Sequence, residues 1–132
     1  MYQTGVKDSF AARHRLVGDF GRETIEHAHG YTVEWTISVE DLDESGFGFD
    51  IDLMAATLNT ISRELDGSML NELAYFRARQ PSVEHLARHI AERAVLLLEE
   101  AGCALSRCTR HRIQIWESES AWAAYEQETL GS

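Results

Sequence analysis

Residues 30–40 alternate without a break: Tyr31, Val33, Trp35, Ile37 and Val39 fall on one side, Thr32, Glu34, Thr36, Ser38 and Glu40 on the other. A period of two, rich in β-branched and aromatic residues, specifies a strand with one face in a core. Residues 2–16 read as a second long strand with looser alternation. The polar segment 17–26 between them, marked by Gly18 and Gly21, is too long for a tight hairpin and is a natural place for function. After Gly46 and Gly48 the period turns helical, with Met54, Leu58, Ile61 and Leu65 on one stripe. Asp50 or Asp52 caps its start, and Asp66-Gly67 ends it. Residues 68–80 are irregular, with Leu70, Leu73, Tyr75 and Phe76 available to pack. Pro81-Ser82 opens a second helix with Ser82 as N-cap; Val83, Leu86, Ala87, Ile90, Ala91, Ala94, Leu97 and Leu98 line its buried side, and Gly102 closes it. A strand over 109–116 sets His111, Ile113 and Ile115 on one face, and 121–125 is a fourth strand or a last turn.

The expected architecture is therefore α+β, an antiparallel sheet with two helices on one face in the order ββααββ, forming one domain over residues 1–132. Two helices cover only one face of a small sheet. A further subunit is expected to cover the other, which would place Trp35 or its neighbours in an intersubunit core. The net charge is −10 and Lys7 is the only lysine, so the basic footprint of a nucleic-acid binder is missing. The longest aliphatic run, residues 94–98, is too short to cross a bilayer. The first residues lack the basic and apolar regions of a secretory signal, and a cytoplasmic protein is expected. Cys103 and Cys108 have neither a redox nor a zinc-ribbon spacing and read as structural thiols.

Chemistry concentrates in histidines. In an extended chain, residues i and i+2 share a face, so His27 and His29 offer two imidazoles side by side, with His14 able to join from a neighbouring strand. Three neutral nitrogens suit Zn²⁺ and leave its fourth position open to substrate or water. An H-x-H pair also arises by chance in a chain with six histidines, so spacing alone leaves the metal reading open. His85 and His89 lie one turn apart on the second helix, where they form a second metal site or a solvated face. Arg13 and Arg15 flank His14 and either receive an anionic substrate group or balance local acid.

Six segments, in order, resemble the 6-pyruvoyltetrahydropterin synthase and 6-carboxytetrahydropterin synthase family: Phe10-Ala11-Ala12-Arg13-His14, His27-Ala28-His29-Gly30-Tyr31, Gly48-Phe49-Asp50, Leu65-Asp66-Gly67-Ser68-Met69-Leu70-Asn71, Pro81-Ser82-Val83-Glu84 and Trp116-Glu117-Ser118. The resemblance runs from nearly the first residue to about Tyr125. It implies a tunnelling fold, in which three subunits close their sheets into a barrel and two trimers stack into a hexamer. It implies zinc held by His14, His27 and His29, and a pterin ring anchored by Glu117 at a subunit boundary. The usual substrate is 7,8-dihydroneopterin triphosphate. Zinc, as a Lewis acid, acidifies a C–H bond of the substrate, a loop cysteine is the base, and an aspartate–histidine pair handles the second proton.

The chain departs from that pattern in its proton-handling groups. The 17–26 loop has no cysteine; Glu23, four residues before His27, stands about where one is expected, with Glu26 the alternative register. Gly67 replaces the histidine beside Asp66, and Ala28 replaces a glycine between the zinc histidines. His85, His89 or His111 remain to stand in for the missing histidine. Some members of the family use a glutamate base and release 6-hydroxymethyl-7,8-dihydropterin, and a carboxylate whose pKa is raised is a competent base. The expectation is a zinc-dependent lyase on 7,8-dihydroneopterin triphosphate or a related pterin, with Glu23 as base, Asp66 orienting or relaying a proton, and Zn²⁺ as cofactor. Its partners are a small pterin substrate and further copies of itself, in a trimer or hexamer, with no nucleic acid or membrane. The rivals are a paralogue acting on another pterin or purine-like ring, a silent zinc-stabilised pterin-binding oligomer, and a small acidic α+β oligomer with incidental histidines. Folate, biopterin and deazapurine (queuosine) routes all remain open.

Overall fold

The computed structural model describes residues 1–129; the last three residues of the expected 1–132 unit lie outside them. Strands β1 (Tyr2–His14) and β2 (His27–Val39) precede helices α1 (Ile51–Leu65) and α2 (Val83–Glu100), and strands β3 (Cys108–Trp116) and β4 (Trp122–Glu128) follow. The sheet is antiparallel throughout and ordered β1-β2-β3-β4. The last segment is thus a true fourth strand, which starts at Trp122 and runs past residue 125 to Glu128. The helices lie on one face, as the alternation requires. Even-numbered residues of β1 and odd-numbered residues of β2 face them, so Phe10, Tyr31, Val33, Trp35 and Ile37 join Ile113 and Ile115 in one core.

Local chemistry explains the element ends. Asp50 accepts a hydrogen bond from the Leu53 amide and caps α1; Ser82 does the same for α2 with the His85 amide. Met54, Leu58, Ile61 and Leu65 are buried on α1, and Leu86, Ile90, Ala94 and Leu98 on α2. Gly67, with φ at +76°, supplies the left-handed turn after α1 that a side chain would strain. Residues 68–80 form two short 3₁₀ turns that bury Leu70 and Phe76.

Two expectations need correction. β2 begins at His27 rather than Gly30, because β1 keeps it in register down to the His14–His27 pair. Trp35 does not await a partner subunit. It is 0% exposed beneath the helices of its own chain, since its side of the alternation is the core side. The opposite sheet face carries Lys7, Glu34, Trp116 and Trp122, and Trp122 is 55% exposed. Among the described residues no helix is long and apolar enough to cross a membrane. Both cysteines are free thiols; Cys108 is buried, and burial pushes its pKa up to about 11.

Candidate metal centre

The β1–β2 register dictates the site. His14 opposes His27 and Ala12 opposes His29, so three imidazoles meet on the core-side face at the end of the ribbon. Their ring centroids are 4.5 Å (His14–His27), 4.9 Å (His27–His29) and 5.1 Å (His14–His29) apart. His14 Nδ1 lies 2.7 Å from the Pro81 carbonyl, and His27 Nδ1 lies 2.7 Å from the Ile25 carbonyl. A carbonyl oxygen can only accept, so both Nδ1 atoms donate, and in the neutral rings each Nε2 presents a lone pair. Those two Nε2 atoms are 2.8 Å apart. His29 Nε2 is buried with no hydrogen-bond partner. Lone pairs aimed at one another call for a cation between them. Burial, the largest effect, holds the His14 pKa below its usual value and favours the neutral ligand form.

Glu23 supplies a fourth donor. Its Oε2 lies 3.0 Å from His27 Nε2, and ligand atoms of His14, Glu23, His27 and His29 all lie within 4.8 Å of one another. Imidazoles fixed by backbone carbonyls, with a carboxylate beside them, form a set suited to zinc or a similar divalent ion. Two amide side chains build the loop that brings Glu23 in. Asn71 accepts from the Arg15 amide and donates to its carbonyl; Gln80 does the same for Val17. The Leu16 amide then donates to the Glu23 carbonyl at 2.6 Å. β1 therefore ends at His14 because Asn71 and Gln80 take over the next backbone groups. Glu26 turns away and pairs with Arg13 at 3.2 Å on the other side of the strand, so that Glu23 and not Glu26 lies beside the histidines.

Glu117 continues the pattern. Thr32 opposes Trp116, so the position after Trp116 comes opposite Tyr31 on the core-side face. The Glu117 Oε2 lies 3.8 Å from His29 Nε2. Asp66 is held elsewhere: its Oδ1 accepts from the Ala11 amide at the outer edge of β1. That amide is three residues from His14, roughly 10 Å along the strand. Asp66 is not among the four donors around the histidines.

A family model described as 6-pyruvoyl tetrahydropterin synthase matches residues 4–128. The chain belongs to that family. Solved structures agree on the fold. The 6-pyruvoyl tetrahydropterin synthase of Caenorhabditis elegans superposes with a TM-score of 0.82 at 19% identity, covering 96% of each chain. The Plasmodium falciparum enzyme gives 0.82 at 13% identity, covering 96% of this chain and 98% of its own. The Plasmodium vivax enzyme, solved as a catalytic-residue mutant with alanine in place of glutamate, gives 0.78 at 14% identity over the same shares. No curated protein matches the sequence. The tunnelling-fold arrangement is thus that of the 6-pyruvoyl tetrahydropterin synthases.

Within this member of the family, the other histidines stand apart from the cluster. His111 is wholly buried opposite Ile37, accepts from the Trp35 indole N–H and faces Gln127. Ile37 is eight residues from His29 along β2, roughly 27 Å at strand spacing. His85 is held by the Gln80 carbonyl, and His89 packs against Tyr75 and Phe76. None of these three is among the donors gathered around His14, His27 and His29. Nor do His85 and His89 belong to a group of three or more metal-binding side chains among the described residues. Arg13 is spent on Glu26, and the structure shows Arg15 only through its Asn71 clamp.

Sequence reasoning missed Tyr31 as a site residue. It is 1% exposed, its hydroxyl has no hydrogen-bond partner, and its ring centroid lies 5.6 Å from His29. Burial, with the Glu117 and Glu23 charges adding to it, drives its pKa far upward and keeps the phenol protonated. The signal available in the sequence was its position two residues after His29, which puts Tyr31 on the strand face shared by His27 and His29. The Asn71 and Gln80 clamps left no such signal, because each acts across more than 50 residues of chain.

Proposed function

We propose that this chain is a zinc-dependent lyase acting on 7,8-dihydroneopterin triphosphate or a related pterin. His14, His27 and His29 hold the ion, and Glu117 anchors the ring through the paired N–H donors of its aminopyrimidinone. Glu23 is the base. The observation that carries the reading is the convergence of one ring nitrogen from each of the three imidazoles and the Glu23 carboxylate within 4.8 Å, with Glu117 alongside. When bound, zinc supplies Lewis-acid activation of a coordinated substrate. Glu117 orients the ring, Tyr31 offers a buried O–H donor beside it, and Glu23 accepts the proton. The catalytic glutamate of the Plasmodium vivax relative supports a carboxylate in that role.

The sheet has two outer edges, β1 and β4, and an open face with an exposed tryptophan. Pairing β1 of one copy with β4 of the next closes a ring, the trimer or hexamer of our reading. Asp66, on the outer edge of β1, then serves the site beside the neighbouring copy's β3–β4 turn. One observation favours the rival reading of a silent pterin-binding oligomer: Asp66 is committed to the Ala11 amide and has Gly67 beside it.

Incubating zinc-loaded protein with 7,8-dihydroneopterin triphosphate, with and without acetaldehyde, and identifying products by mass spectrometry tests the reading. 6-Hydroxymethyl-7,8-dihydropterin is the expected product. A 6-pyruvoyl or 6-carboxy product would assign the proton transfers to groups other than Glu23. Intact substrate would favour the binding role.

A further inference from the structure

The same carboxylate that reads as the base also sits where a fourth metal ligand would. We propose that, in the substrate-free protein, Glu23 is a direct ligand of the ion held by His14, His27 and His29, and must leave it before acting as a base. The inference rests on the metal centre proposed above. His27 donates through Nδ1 to Ile25, so its Nε2 meets the Glu23 oxygen, 3.0 Å away, with a lone pair rather than a proton. His14 Nε2, held in the same tautomer by Pro81, lies 2.8 Å from His27 Nε2 on the same point. Two lone pairs and a carboxylate oxygen repel one another unless a cation, or an added proton on His27, lies among them.

Among the described residues the only close polar partner of the Glu23 carboxylate is His27, although the backbone of Glu23 is tied down by Phe20 and Leu16. The side chain is half exposed, so it swings out without breaking a core contact. Three histidines alone leave a tetrahedral ion open, whereas three histidines and a carboxylate close it. Glu23 therefore closes the centre at rest. An incoming substrate whose oxygens enter the coordination displaces it, and the freed carboxylate lies beside the substrate C–H. Base release is coupled to substrate arrival. A loop cysteine replaced by glutamate thus changes the resting coordination as well as the identity of the base.

The test compares the full-length wild type with Glu23→Gln, Glu23→Ala and His27→Ala. Zinc affinity is read by competition with a chromophoric chelator, and coordination by the visible absorption of the cobalt(II)-substituted protein. Removing a ligand should weaken zinc binding by at least about tenfold, the lower end of what losing a group that supports a metal costs. Wild-type cobalt protein should show the intense bands of a four-coordinate ion and ignore added acetate. Glu23→Ala should show altered bands that acetate restores, and Glu23→Gln should also lose affinity. If Glu23→Ala matches the wild type in both readouts while His27→Ala loses zinc, Glu23 is not a ligand and the metal centre stands. In that outcome the 3.0 Å contact belongs to the metal-free protein, where a proton on His27 Nε2 bridges to Glu23, and zinc binding to His27 replaces it. If the wild type itself takes up no zinc, this inference and the metal centre fail together. Circular dichroism of the metal-free variants checks that the exposed substitution leaves the fold unchanged.

Discussion

A carbonyl oxygen never donates a hydrogen bond, and that simple limit sets the chemistry of His14 and His27. Pro81 and Ile25 take the Nδ1 protons and leave the Nε2 lone pairs for a ligand. Replacing His29 with alanine should reduce zinc affinity by more than the ~10–100-fold typical of an outer-shell partner, measured by metal analysis after dialysis against a chelator. Its Nε2 is buried without any other use. Tyr31 makes the opposite case for stability. A buried hydroxyl without a partner costs about 1–3 kcal/mol, so Tyr31→Phe should keep or raise the melting temperature of the ligand-free protein while weakening pterin binding. A lower melting temperature would mean that the hydroxyl is satisfied in solution and is not held for a ligand.

At the scale of elements, α2 and the segments before it do more than cover the sheet. The N-cap at Ser82 fixes the first turn of α2, and the preceding Pro81 carbonyl is the group that orients His14. Ser82→Ala should therefore cost about 1 kcal/mol of stability, seen in urea unfolding, and also lower zinc affinity. An unchanged affinity would show that Pro81 is held in place without the cap. Gln80 and Asn71 act as short stand-ins for a neighbouring strand, each pairing both backbone groups of one residue after β1. Gln80→Ala leaves the Val17 amide and carbonyl to water and frees the loop that carries Glu23. The expected result is faster amide exchange in residues 16–25, with the sheet unaffected. In α1, Leu58 is buried under the sheet, and Leu58→Ala should cost about 2–5 kcal/mol.

For the whole molecule, two properties follow from where the sheet buries and exposes its residues. Burial holds His89 and His111 below their ordinary pKa of 6.5, and Nδ1 of His111 is occupied as the acceptor of the Trp35 indole. Well above pH 6.5 these groups are neutral in both states and contribute nothing. As the pH falls below 6.5 the unfolded chain gains protons that the folded chain refuses, so stability falls until the folded pKa values are passed. Urea midpoints in the presence of chelator should drop from about pH 7 toward about pH 5, and His111→Gln should flatten that slope. The open sheet face makes the second prediction. Trp122→Glu should shift the assembly toward the 14.9 kDa monomer in sedimentation, and a wild type that is already monomeric would overturn ring closure.

Strict alternation in residues 30–40 and the four-three spacing in α1 made the elements legible, because both periods are local properties of the backbone. Cap residues Asp50 and Ser82 marked the helix starts for the same reason. The H-x-H pair foretold that His27 and His29 share a face, and the motif pattern around it foretold the family. Which face became the core was not local. Trp35 went under its own helices, rather than to a partner, only when α1 and α2 chose their side of the sheet. Which of Glu23 and Glu26 came to lie beside the histidines depended on clamps from Asn71 and Gln80, and Asp66 was drawn to the edge of β1 by an amide 55 residues away. Residues near in sequence settle their conformation by torsion and period. The meeting of His14, Glu23, His27, His29 and Glu117 required strand register and a loop held from a distance, which only the folded protein supplies.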